Sequence, residues 1–354
     1  MQIQDTKNNL IGNRKRLLWV ALFIVIAIAS IIAIIGFNKS FSLNKFIEFF
    51  KSANPLWMGL AILSMLLFIF FEGCSISVLC KSFKYKTKVR DGFAYSSADI
   101  YFSAITPSAT GGQPASAYFM HKDGIPISVI TVTMFCILLM YSLSIIIINF
   151  ISFIIKPSVV FEMDFLAKLF ILVGFGVQFV LVAFFYFLLF NESLLQKICA
   201  FFVSVAAKIH LIKNKDSVMK KLNSLIDKYR DSAKMLKGHN KVMLKVLILT
   251  LLQRLAQISV IVCVFIATSS NLNQVFDIFS IESFVITGSY CIPIPGAIGV
   301  SDYLMLNGFK TLMPENIAVN LELIGRGISF YCCIIVCGVT ILAKYLSQKR
   351  RSRE

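Results

Sequence analysis

A small set of ionisable side chains falls inside stretches of this chain that are otherwise strongly apolar. Glu72 lies in Phe70-Phe-Glu-Gly-Cys74, Arg254 in Leu251-Leu-Gln-Arg-Leu-Ala-Gln257, and Arg326 one turn after Glu322. Asp99 and Gln113 belong to one interrupted segment, while Glu282 and Asp302 flank another. A charge at membrane depth is costly, so each such residue is by default a functional candidate. Gathered in one polar cavity, an arginine would hold a lipid phosphate through its planar fork of donors. A carboxylate there would face a cationic headgroup or carry a proton. A structural role accounts for the same residues: Glu72 or Asp302 pairs with Arg254 or Arg326, or Glu322 and Arg326 pair along one helix.

Two breaks must position these groups. The first is Ser103-Ala-Ile-Thr-Pro-Ser-Ala-Thr-Gly-Gly-Gln-Pro-Ala-Ser-Ala117, with Pro107, Gly111, Gly112 and Pro114. The second is Cys291-Ile-Pro-Ile-Pro-Gly-Ala-Ile-Gly-Val-Ser-Asp302, with Pro293, Pro295, Gly296 and Gly299. Proline removes a backbone donor and glycine opens angles that other residues resist, so neither stretch continues a straight helix. The freed backbone groups must lie within protein or against water, because lipid leaves them unpaired. One break in each half of an apolar chain is the usual pointer to a transport path.

The chain has 354 residues, 57% of them hydrophobic, and a mean hydropathy of +0.79. These values describe an all-α polytopic membrane protein. Full spans are expected at residues 17–37, 56–80, 126–155, 165–190, 243–268 and 317–346, each long enough for roughly 30 Å of hydrocarbon. The first run has no cleavage site after it and reads as a span rather than a signal peptide. The broken elements occupy 93–119 and 279–312. The expected organisation is a basic tail at 1–16, a membrane domain at 17–346 and a tail at 347–354.

Charge placement orients the spans. An inside N-terminus puts 27 of the 35 Lys and Arg residues on the cytoplasmic side, in the N-terminal tail, Lys81–Arg90, Lys122, Lys197–Lys245 and Lys344–Arg353. The positive-inside rule then places both termini in the cytoplasm of a cell in whose membrane the chain sits. This threading requires each broken element to enter and leave on one face, so six spans are joined by two opposed re-entrant elements. Within the basic segment 191–241, Val218, Leu222, Leu225, Tyr229 and Leu236 share one helical face. Such a helix lies on an anionic leaflet or packs on the protein's own loops. Nucleic acid is not an expected partner despite the net charge of +17, since no aromatic or Gly-rich pattern accompanies the basic residues. The nine cysteines form no CxxC pair, and Cys333 with Cys337 lacks a third ligand, so neither metal nor cofactor is expected. No GxxxxGK[ST] loop occurs, so active transport would draw on a proton or the membrane potential, with Glu72, Asp99 or Asp302 as carriers.

At the two breaks the sequence resembles the lysylphosphatidylglycerol synthetase/flippase transmembrane region. Thr106–Pro114 and Pro293–Asp302 look like its paired signature loops, and Gly325-Arg-Gly-Ile-Ser-Phe-Tyr331 is similar to its final span. Where the family commonly reads Gly-Val-Arg-Glu, this chain has Gly299-Val-Ser-Asp302. The resemblance implies movement of aminoacylated phosphatidylglycerol, or a related phospholipid, between leaflets, and a role in cationic-peptide resistance. Full-length members carry a soluble domain that transfers lysine from lysyl-tRNA to the lipid. Eight residues follow the last span here, too few for that domain, so a lysyltransferase acting alone is a weaker expectation. A membrane subunit that docks a separate synthetase is a further alternative.

Overall fold

The computed structural model describes residues 43–106, 109–208, 215–269, 272–289 and 294–351, and these are helical with short connections. The expected first span, residues 17–37, lies outside the described residues, as do Pro107 and Pro293 of the two breaks.

A short helix α1 (Leu43–Ser52) leads to α2 (Pro55–Ser82). Proline stands at the start of α2, where its missing N–H is no loss, and Asn54 caps the turn by accepting from the Leu56 N–H at 2.9 Å. The first break becomes a helical hairpin, α3 (Val89–Ile105) and α4 (Gly112–Lys122). Then come α5 (Ile127–Ile155), a one-turn helix α6 (Ser158–Glu162) in the expected loop, and α7 (Phe165–Phe190). The basic segment forms α8 (Glu192–Lys208) and α9 (Lys215–Lys237), followed by α10 (Asn240–Thr268). The second break becomes α11 (Val275–Ser289) and α12 (Val300–Lys310), with a 3₁₀ turn at Pro295–Ala297 between them. The last span begins as α13 (Glu315–Arg326), winds as a π-helix over Gly327–Cys332, and ends as α14 (Cys333–Arg351). Sequence periodicity gave no sign of this π segment, which begins immediately after Arg326.

Among the described residues, five helices are long and apolar enough to cross a membrane: α2, α5, α7, α10 and the composite Glu315–Gln348. α7 leaves Phe165, Leu172 and Val180 exposed, as a lipid-facing helix of a multi-pass protein would.

Each hairpin returns to the end of the bundle where it began. Asp91 near the start of α3 and Asp123 just past α4 both bind the Lys344 ammonium, at 2.7 and 2.6 Å. The Gln274 amide before α11 donates to the Leu312 carbonyl after α12 at 3.3 Å. The ends are opposite. α5 starts beside Asp123, and Lys156 at its far end pairs with Asp277 of α11 at 3.0 Å.

The two larger apolar cores among the described residues divide along the same line. One joins α2 and α10 to the second hairpin, around Ile69, Val264, Phe284 and Phe309. The other joins the lower part of α2 to the first hairpin and α5, around Leu79, Tyr95, Met120 and Ile137. α2 passes α3 at Gly73 and Gly92, whose backbones approach so closely that a Cβ on Gly73 would stand 2.6 Å from the Gly92 carbonyl carbon. In α9, Tyr229 and Leu236 pack into the protein and the Tyr229 hydroxyl donates to the Leu188 carbonyl at 2.9 Å, while Leu225 stays exposed. The helical face expected for a leaflet is therefore divided, with its C-terminal half committed to the protein.

Candidate functional site

The first group of polar side chains forms where α2, α3, α4, α5 and α10 meet. The Gln113 amide donates to Asp99 at 2.6 Å, and the Ser103 hydroxyl donates to the same carboxylate at 3.2 Å. Gly112 makes this possible, because a Cβ there would strike Asp99 Oδ1 and Ser103 Oγ. The start of α4 thus sits directly on the carboxylate. Gly111 turns the chain by donating its N–H to Thr106 Oγ1 at 2.9 Å, and Pro114 is exposed one residue past Gln113. Across the interface the Gln253 amide donates to Glu72 at 2.7 Å, and the Glu72 and Asp99 carboxyls interact with one another.

Arg254 sits beside this pair, roughly 21 Å along a helix of about 43 Å, and is 2% exposed. Its guanidinium lies between two rings, 4.2 Å from the centre of Tyr141 and 5.0 Å from that of Phe68. Its hydrogen bonds go to neutral groups, the Tyr141 hydroxyl at 3.2 Å and the Gln257 amide oxygen. Nε is buried with no partner. A small cavity adjoins it, lined by Asn149, Ser283 and the isoleucines 145, 148, 258 and 286. The space suits about one water molecule.

The second group surrounds the turn between α11 and α12. Gly296, Ala297 and Gly299 have φ of 61°, 52° and 87°, the left-handed region that glycine enters freely and alanine does not. Asp302 folds back on this turn and accepts the Gly299 N–H at 2.9 Å, satisfying an otherwise open donor at the start of α12. Its other oxygen accepts from Arg326 Nε at 2.7 Å. The Arg326 guanidinium also lies 5.0 Å from the Phe330 ring centre, and Phe330 in turn covers Gly296 so closely that a Cβ there would collide with the ring. Glu322 and Glu282 complete the group, both within electrostatic reach of Arg326.

Of the candidates named from sequence, Glu72, Asp99, Gln113 and Arg254 come together in one group, and Glu282, Asp302 and Arg326 in the other. The second pairs Asp302 with Arg326. The alternative pairing of Glu322 with Arg326 along the helix does not form, because Arg326 turns its Nε to α12 instead.

The profile of the lysylphosphatidylglycerol synthase TM region matches residues 18–337, nearly the whole chain. The chain belongs to this family. No curated protein matches its sequence. Membership of the lysylphosphatidylglycerol synthase TM family and the apolar helices together establish an integral multi-pass membrane protein tied to membrane lipid. Asp302 carries the contact to Arg326 in this chain. Ser301 donates to the Ala297 carbonyl at 2.9 Å and so braces the turn rather than extending a cation.

Sequence reasoning missed Tyr141, Asn149, Gln253, Gln257 and Ser283. A signal was present in α5, where Tyr141, Ser144, Asn149 and Ser152 recur at intervals of three to five residues within an apolar run. These positions meet polar groups on neighbouring helices: Ser144 with Thr250, Asn149 with Thr287, and Ser152 with Ser283.

Proposed function

We propose that this protein moves aminoacylated phosphatidylglycerol, or a related phospholipid, between the leaflets of the cell membrane, with Arg254 receiving the lipid phosphate. The observation that carries this reading is the state of Arg254: deep in the bundle, held between aromatic rings, bonded only to neutral acceptors, with an unpartnered Nε beside a cavity. A buried donor left open is costly, and a phosphate supplies the charged acceptor that no side chain gives it directly. The surrounding rings fix the plane of the fork, so that two parallel donors meet a tetrahedral anion in one orientation. In the described conformation the cavity is far smaller than a headgroup, so passage requires the two hairpins to part. The opposed hairpins supply the moving parts: one is anchored at the basic end by Lys344, the other at the opposite end by Gln274 and Lys156. On this reading the basic end and both termini face the cytoplasm.

The test is translocation in proteoliposomes of the full chain, followed by dithionite quenching of fluorescent phosphatidylglycerol and its lysyl derivative. Protein-dependent loss of inner-leaflet signal, lowered at least about tenfold by Arg254→Lys, is the expected outcome, since lysine keeps the charge and loses the fork. Rates equal to those of protein-free vesicles would sink the proposal.

A further inference from the structure

The group around Arg326 holds more acid than its arginine can use. Asp302 takes Arg326 Nε in a short ion pair. Glu322 is 0% exposed; neither of its carboxyl oxygens receives an N–H or O–H donor, and its carboxyl lies against that of Asp302. Glu282 Oε2 is likewise buried without one. Asp302, Glu282 and Arg326 are the charged groups that face Glu322, so two carboxyls share a neighbourhood whose cation is already engaged. Buried polar groups are ordinarily satisfied, and a pair left open in this way marks a place for a missing donor.

The chemistry of that donor is constrained. It must be positive, it must offer several N–H groups, and it must present no acceptor that the carboxyls would repel. A primary ammonium has three donors and no acceptor. The described residues contain no set of three His, Cys, Asp or Glu arranged to hold a metal ion, which directs the choice to an organic cation. Access is retained, because the Arg326 side chain keeps 12% of its exposure and Glu282 is only partly buried.

The position of the group adds a second constraint. Ile261 stands two turns, about 10 Å, beyond Arg254 on α10. It packs against Gly325, next to Arg326, so tightly that a Cβ on that glycine would meet Ile261 Cδ1. α11 also joins the two places, giving Ser283 to the Arg254 cavity and Glu282 to the acidic group. An open cation and a buried acidic group, joined by α10 and α11 with about 10 Å of α10 between Arg254 and the residue that packs on Gly325, match a headgroup with a phosphate at one end and an amine several bonds away.

We infer that Glu322 and Glu282 form an ammonium subsite that selects aminated phospholipid headgroups, with Asp302–Arg326 as the fixed pair that holds its walls together. This rests on the proposed lipid path and assigns its headgroup specificity to two residues.

Fluorescent phosphatidylglycerol and lysylphosphatidylglycerol are compared in proteoliposomes of wild type, Glu322→Gln and Glu282→Gln, each first shown to be monodisperse. Loss of a charge-assisted contact should lower the ratio of lysyl to unmodified lipid rates about tenfold in Glu322→Gln, and less in Glu282→Gln. Equilibrium binding of the same two lipids to purified protein in detergent should lose its preference in parallel. A translocation ratio and a binding preference that stay at wild-type values in both variants would overturn the subsite while leaving the lipid path standing. Equal loss for both lipids would also overturn it, pointing to a proton-carrying or purely structural carboxyl. Wild type that moves neither lipid defeats the path itself, and the binding preference then decides the subsite alone.

Discussion

The two hairpins treat a buried arginine in opposite ways. Beside the first, Arg254 is held by rings and neutral acceptors, and the acids nearby are held by amides, Gln253 on Glu72 and Gln113 on Asp99. Each charge takes its direct donors or acceptors from neutral side chains, the two carboxyls lie against one another, and the arginine retains an open donor. Beside the second, Arg326 is bound directly to Asp302, which also caps the turn of its own hairpin. One charge keeps an open donor, and the other is used to close the fold. The lesson is that an intramembrane charge is not one kind of feature. Its role follows from whether its partner is a neutral side chain or an opposite charge.

The sharpest way to break this contrast is to remove each arginine and measure unfolding in detergent micelles. Arg326→Ala strands Asp302 beside Glu322 and Glu282 and should cost about 3–5 kcal/mol, as when one partner of a buried pair is deleted. Arg254→Ala removes a charge that faces Glu72 without a direct ion pair, so its loss of stability should be smaller while translocation falls. Equal destabilisation by the two would erase the distinction.

The glycines offer a second, smaller contrast. Gly112→Ala places a methyl group on Asp99 and Ser103 and should cost about 1–3 kcal/mol through overpacking. At Gly299 a Cβ meets nothing within 4 Å, but φ is 87°. Gly299→Ala should therefore cost only the backbone term, about 1–2 kcal/mol. Melting of both variants checks the order, and a larger loss at Gly299 would reverse it.

The smallest effect concerns the mouth of the first hairpin. Burial alone would raise the Asp123 pKa, but hydrogen bonds from Lys344, Tyr95 and Gln348 outweigh it and hold the carboxyl below its usual value. A lowered folded pKa contributes stability that is present above the unfolded value, near 4, and is lost as pH falls through the folded one. Wild type should thus lose part of its melting temperature below about pH 4, and Lys344→Met should flatten that loss. The second hairpin, closed through Gln274 and the Leu312 carbonyl, has no titrating group in that bond and should be unaffected by the substitution.

Much of this protein was legible in its residues. Apolar runs of membrane length located α2, α5, α7, α10 and the last span to within a few residues, because hydrocarbon thickness imposes length and composition on any helix that crosses it. Proline and glycine located both breaks, since their backbone restrictions act locally. The same rules named the charged candidates, which stand out against an apolar background. Partners were beyond reach. Asp302 and Arg326 could be proposed as one pair among several, and the i,i+4 pairing of Glu322 with Arg326 was equally available from spacing alone. Only the packing of α12 against α13 decided it, by bringing Asp302 to the Arg326 Nε. The cradle of Arg254 likewise depends on Tyr141 and Phe68, residues 113 and 186 positions away in the chain. Local chemistry is written in the order of residues, whereas the choice between competing partners is made by which helices meet.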